Sequence, residues 1–99
     1  MTESKDIKKI GPFKPLMEND RVKVIDFRLN PGDKTPQHSH PDTVVYSLND
    51  QKIRFIYPDG QKKESEFKAG QALWIDAETH IVENIGKTEA RNIIIELKK

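Results

Sequence analysis

What most restricts the folds open to this chain is its punctuation. From Arg21 onward, segments rich in Val, Ile and Phe are cut at short intervals by residues that make turns. RVKVIDFRL (21–29) stops at NPGD, where Pro31 and Gly32 suit the two central positions of a type II turn. TVVYSL (43–48) ends at Asn49-Asp50, which suits a tight hairpin into QKIRFIY (51–57). Pro58-Asp59-Gly60 is the clearest turn, and KESEFK, QALWIDA, HIVENIG and RNIIIEL follow as further strand candidates. No stretch of useful length carries a helical period. Some seven short strands with turns between them predict an all-β sandwich or barrel.

With 99 residues the chain supports one domain with a modest core. Residues 1–20, punctuated by Gly11, Pro12 and Pro15, read as an irregular N-terminal arm, and residues 21–99 as the domain proper. Seventeen basic against sixteen acidic residues leave a formal charge of +1, so no global field points to nucleic acid or to an anionic membrane. The lysines of KDIKK, QKK and the terminal LKK are short runs among acids and read as solvated surface. Without cysteine there is no disulfide, thiolate metal site or cysteine nucleophile. The opening MTESKDIKKIGPF lacks the apolar centre of a secretory signal, and no apolar run approaches a membrane span, so a cytoplasmic protein is expected.

The chemistry-bearing feature is PGDKTPQHSHPDTVVYSLND (31–50), which holds His38 and His40 one residue apart. Residues two apart in a strand point to one face, so both imidazoles enter the same space. Pro36 and Pro41 flank them, and proline cannot donate to a ladder, so this strand should be an edge or bulged one at a barrel mouth. A catalytic metal takes about three protein ligands. The only other histidine is His80, which an antiparallel barrel can bring beside the pair. HxH alone is a weak signal, which surface or satisfied histidines explain more often than a metal site does. Serines 4, 39, 47 and 65 lack a neighbouring base pattern, and there is no Gly-rich phosphate loop.

The wider pattern resembles the cupin family. Gly32, five residues, then His38 and His40 match its first motif; Gly70, His80 and, four positions on, Asn84 match its second. The resemblance runs from about Glu18 to the C-terminus. It implies a small conical β-barrel, or double-stranded β-helix, of the jelly-roll type. It also implies that His38, His40 and His80 hold a divalent transition metal (Fe, Ni, Mn or Zn), with Asn84 in a structural role. The sequence departs from the pattern where a glutamate should follow the second histidine: Val44 or Thr43 stands there instead. Without that carboxylate the ion's charge is undiminished, which favours anionic ligands. Asp42 would restore a carboxylate if the strand ran straight through Pro41, although a plain turn role fits it better. Asp76 and Glu83 flank His80 and could orient its ring, or simply face solvent.

Tyr46, Phe55 and Trp74 are candidates to line the pocket, with core packing the competing role. Three functional readings stay open: a metal-binding protein acting on or holding a small molecule, a non-enzymatic small-molecule-binding module without obligatory metal, and an interaction protein that assembles through the apolar NIIIEL strand and the arm. A homodimer is expected from the small core, with contacts around Ile10, Phe13 and the Ile93–Ile95 strand.

Overall fold

The computed structural model describes residues 12–98, and all its regular elements are strands. In chain order they are β1 (Phe13–Glu18), β2 (Val22–Leu29), β3 (His38–His40), β4 (Thr43–Ser47), β5 (Gln51–Ile56), β6 (Lys62–Phe67), β7 (Ala72–Ile75), β8 (Glu78–Asn84) and β9 (Ala90–Leu97). They form two antiparallel sheets, one ordered β1-β2-β9-β4-β7 and the other β3-β8-β5-β6. Alternation along each strand builds the core between them. In β2, Phe27 and Leu29 turn inward to join Ile53, Phe55, Phe67, Val82 and Ala90 in one cluster, and Ile25 and Val45 are buried as well. Ile53 is 1% exposed. Burying a side chain of that size contributes roughly 1.5–3 kcal/mol.

Two connections differ from the sequence expectation. Phe13–Glu18 is not irregular: it pairs with β2 as the edge of the five-stranded sheet, with a register shift between Pro15 and Met17. An edge strand tolerates a proline, because one side of it needs no ladder donor. Residues 1–11 of the expected arm, with Ile10, lie outside the described residues. Phe13 packs inward, its ring 5.2 Å from that of Phe27, and is half-buried.

Asn49-Asp50 closes no hairpin either, because β4 pairs with β7 and β9 while β5 pairs with β6 and β8. The chain crosses between sheets there, and its polar side chains bind neighbouring backbone instead of each other. Asn49 Nδ2 donates to the Glu89 carbonyl at 2.6 Å, and Asp50 Oδ1 accepts from Ala69 N–H at 2.9 Å. The turn at 58–60 does close a hairpin, between β5 and β6. No described helix is long and apolar enough to cross a membrane.

Candidate metal centre

The centre starts with a turn. Asp33 N–H donates to the Asn30 carbonyl at 3.0 Å and Gly32 holds φ at +84°, the type II geometry expected of NPGD. A side chain at Gly32 would be strained by that φ. Beyond the turn the chain lies along β8: Gly32 N–H donates to the Asn84 carbonyl, Asn84 N–H to that of Asp33, and Thr35 N–H to that of Val82. Lys34 faces Glu83, but His38 faces His80, so four residues on one side span three on the other. Pro36 sits within that slip. The result is β3, three residues long and at the edge of its sheet.

In the β3–β8 ladder His38 stands opposite His80 and His40 opposite Glu78. Side chains two apart share a face, so all four converge. His80 is buried, and the other three are half-buried. The His80 ring lies 4.9 Å from that of His38 and 4.8 Å from that of His40, while His38 and His40 are 6.4 Å apart. His40, Glu78 and His80 each bring one ligand-type atom within 4.8 Å of the others, a group that could hold a metal ion. His38 stands outside that trio, edge-on to Phe13 at 5.2 Å.

Hydrogen bonds decide which nitrogen each ring presents. His38 Nδ1 lies 2.9 Å from the Pro36 carbonyl and His40 Nδ1 2.6 Å from the Pro41 carbonyl. A carbonyl only accepts, so both rings carry their proton on Nδ1 and keep the lone pair on Nε2. His80 Nδ1 lies 2.7 Å from Glu78 Oε2, which assigns the same tautomer to it. Burial pushes His80 down to about 4; the Glu78 hydrogen bond opposes this, and the neighbouring His38 and His40 add to it. His80 is therefore neutral at pH 7, the state that binds metal. The group offers imidazole nitrogen and carboxylate oxygen and no thiolate.

The rings line a cavity of about 60 Å³ walled by Phe27, Phe55 and Val82. That is room for an ion and a few waters. An adjoining outer cleft of about 250 Å³ lies where β6 and β7, each an edge strand of its sheet, line one opening. Tyr57, Lys63, Trp74, Asp76 and Glu78 are among its lining residues.

The other expected residues take different places. Phe55 lines both cavities, its ring 5.1 Å from His80. Trp74 is 54% exposed, donates to Asp76 at 2.7 Å and borders the outer cleft rather than the interior. Tyr46 is 42% exposed and lines neither cavity, because Thr43, Val45 and Ser47 take the inward positions of β4. Asp42 accepts the Ala77 N–H at 2.9 Å, which ties the β3–β4 connection to the β7–β8 connection, and it stands outside the ligand group. Glu83 pairs with Arg54, so neither Asp76 nor Glu83 orients His80. That partner is Glu78, which the sequence reading passed over. Its signal was the spacing in Glu78-Thr79-His80, the same one-residue gap that singled out His38 and His40. Asn84, 1% exposed, donates to the Leu29 and Thr88 carbonyls and accepts from Gly86 N–H, fixing the strand end behind His80.

No protein-family sequence model matches the chain. No curated protein matches it either. Solved structures do. A cupin domain from Bordetella pertussis Tohama I is 29% identical, with a TM-score of 0.80 over 88% of this chain and 92% of that one. An RmlC-like cupin family protein with a double-stranded β-helix fold, from Methanocaldococcus jannaschii, is 12% identical, with a TM-score of 0.70 over 87% and 78%. The polyketide cyclase RemF from Streptomyces resistomycificus is 22% identical, with a TM-score of 0.65 over 88% and 64%. With nine strands in two facing sheets and no helix among its described residues, the chain is a small member of the cupin superfamily.

Proposed function

We propose that the protein holds a divalent first-row transition ion at His38, His40 and His80 and receives a small molecule beside it. The observation that carries this reading is the shared tautomer. All three Nδ1 atoms are tied to oxygen acceptors, which leaves three Nε2 lone pairs for an ion. Such an ion would supply Lewis acidity or an activated water. The cleft next to it, bordered by Tyr57 and Trp74 with Lys63, Asp76 and Glu78 around it, supports a small planar polar ligand. The same cleft favours the second reading, a module that binds its ligand without obligatory metal. Fold does not choose between them, since one fold hosts many functions.

Calorimetric titration with Fe, Ni, Mn and Zn ions tests the reading. Wild type should bind one ion per chain, His38→Ala, His40→Ala and His80→Ala should each bind far more weakly, and Asp42→Ala should bind as wild type does. Histidine variants with wild-type affinity would place the ion elsewhere. No binding by wild type would leave the ligand module.

The outer face of the five-stranded sheet supports a pair of like chains. Register puts Val24 and Val44 beside Ile95, and Tyr46 beside Ile93, all on the side away from the core. Two copies would cover this apolar strip. Sedimentation velocity should show a dimer, reduced to monomer by Ile95→Glu; a wild-type monomer at high micromolar concentration would refute it.

A further inference from the structure

The first histidine segment has no carboxylate for the ion: Val44 or Thr43 stands where one was expected, and Asp42 is engaged by the Ala77 N–H. The second segment has one. Glu78 lies two residues before His80 on β8, faces inward with it, and stands directly opposite His40. We propose that Glu78 is the positioning residue of the centre, which fixes His80 in its Nδ1–H tautomer, aims Nε2 at the ion and returns the missing negative charge one residue removed from the metal. The inference rests on the metal reading above.

Glu78 could serve in two ways, and the hydrogen bond separates them. On an imidazole the Nδ1 proton and the Nε2 lone pair point to nearly opposite sides of the ring. An ion about 2.1 Å from Nε2 lies roughly 4 Å from Nδ1 on the far side. Glu78 Oε2 sits 2.7 Å from Nδ1 on the near side. A carboxylate there cannot reach the same ion, so it acts through His80. The pattern is a carboxylate–histidine–metal relay, which holds the ring and raises its basicity. Other nearby carboxylates are engaged or apart: Asp76 accepts from Trp74, Glu83 pairs with Arg54, and Glu96 lines the inner cavity from β9 but stands outside the trio. Glu78 also borders the outer cleft, so the relay touches the space where a ligand would rest.

Two measurements test this. In metal-free protein at pH 7.5, long-range ¹⁵N–¹H correlation should show His80 as the Nδ1–H tautomer in wild type, with that preference lost in Glu78→Ala and kept in Glu78→Gln, whose amide oxygen still accepts. In titrations with Co(II) and Ni(II), Glu78→Ala should bind about 10–100-fold more weakly, with Glu78→Gln recovering part of the loss and Glu83→Gln, which lines neither cavity, unaffected. The Co(II) absorption bands should be the same in wild type and Glu78→Gln, because the atoms on the ion do not change. Wild-type affinity in both Glu78 variants, or an Nε2–H tautomer in wild type, overturns the proposal. Altered Co(II) bands in Glu78→Gln overturn it too, in favour of direct ligation. If Glu78→Ala does not fold, judged by its melting without metal, Glu78→Gln decides through its tautomer and its bands. Failure of wild type to bind, or wild-type affinity in His40→Ala and His80→Ala, is instead a failure of the metal reading.

Discussion

Acidification should destabilise the metal-free protein through His80, and the size of the effect follows from its surroundings. In the unfolded chain its imidazole titrates at about 6.5. In the folded protein burial holds it down to about 4, with His38 and His40 facing it across the ladder and Glu78 on its own strand. Above pH 6.5 the ring is neutral in both states and contributes no pH dependence. Below that, the unfolded chain takes up a proton that the fold refuses until about pH 4, so stability falls as pH falls. Two and a half pH units correspond to a limiting loss of about 3 kcal/mol, of which about 2 kcal/mol is reached by pH 5. For a domain of this size that is roughly 8–16 °C of melting temperature. Urea denaturation at pH 7.5, 6 and 5 with a chelator present measures it, the chelator keeping ions off the same lone pair. His80→Gln, which cannot titrate, should flatten the profile by that amount. Parallel profiles for wild type and His80→Gln down to pH 5 would refute the argument.

Three further outcomes are readable by urea denaturation at neutral pH. Ile53→Ala, at a site 1% exposed, should cost about 2–5 kcal/mol, and a loss below about 1 kcal/mol would mean that the space between the sheets collapses freely. Asn84→Ala strands the Leu29 and Thr88 carbonyls and should cost about 3 kcal/mol, against less than about 1 kcal/mol for Lys68→Ala at its exposed ion pair with Glu66; equal losses would contradict that ranking. Gly32→Ala should cost about 1–2 kcal/mol for its left-handed backbone, and a neutral result would mean the type II turn has another conformation open to it.

Much of this architecture could be read from the residues because the strands are written by period and by turn chemistry. NPGD encodes its turn in full, with Gly32 at the position that needs positive φ. The prolines around His38 and His40 encode an edge strand. Other features were hidden for physical reasons. Pro15 looked like punctuation because its cost depends on which side of the strand has a neighbour, which is tertiary information. Asn49-Asp50 has the composition of a hairpin, yet the acceptors that decide its path lie on segments far along the chain. In Thr43–Ser47 two adjacent valines blur the alternation, and the inward places go to Thr43, Val45 and Ser47 rather than to the ring of Tyr46. Glu78 was missed because a carboxylate two residues before a histidine is common on any surface strand. What gives it meaning is His40, thirty-eight residues earlier in the chain and directly opposite in the ladder.

The place of β9 bears on how this molecule comes into being. It lies between β2 and β4, and every rung it shares with β2 joins residues roughly sixty to seventy-five positions apart. The local pieces, the β1–β2 and β5–β6 hairpins, can form early, within microseconds. Neither buries the core, and the larger sheet has a gap at its centre until the last strand arrives. Closing such long loops before any contact rewards them is slow, so folding should run on the millisecond-to-second scale of high-contact-order β proteins. Until then β2 and β4 each present an unpaired edge, and during synthesis that interval is when the chain is most exposed to pairing with a neighbour instead of with itself.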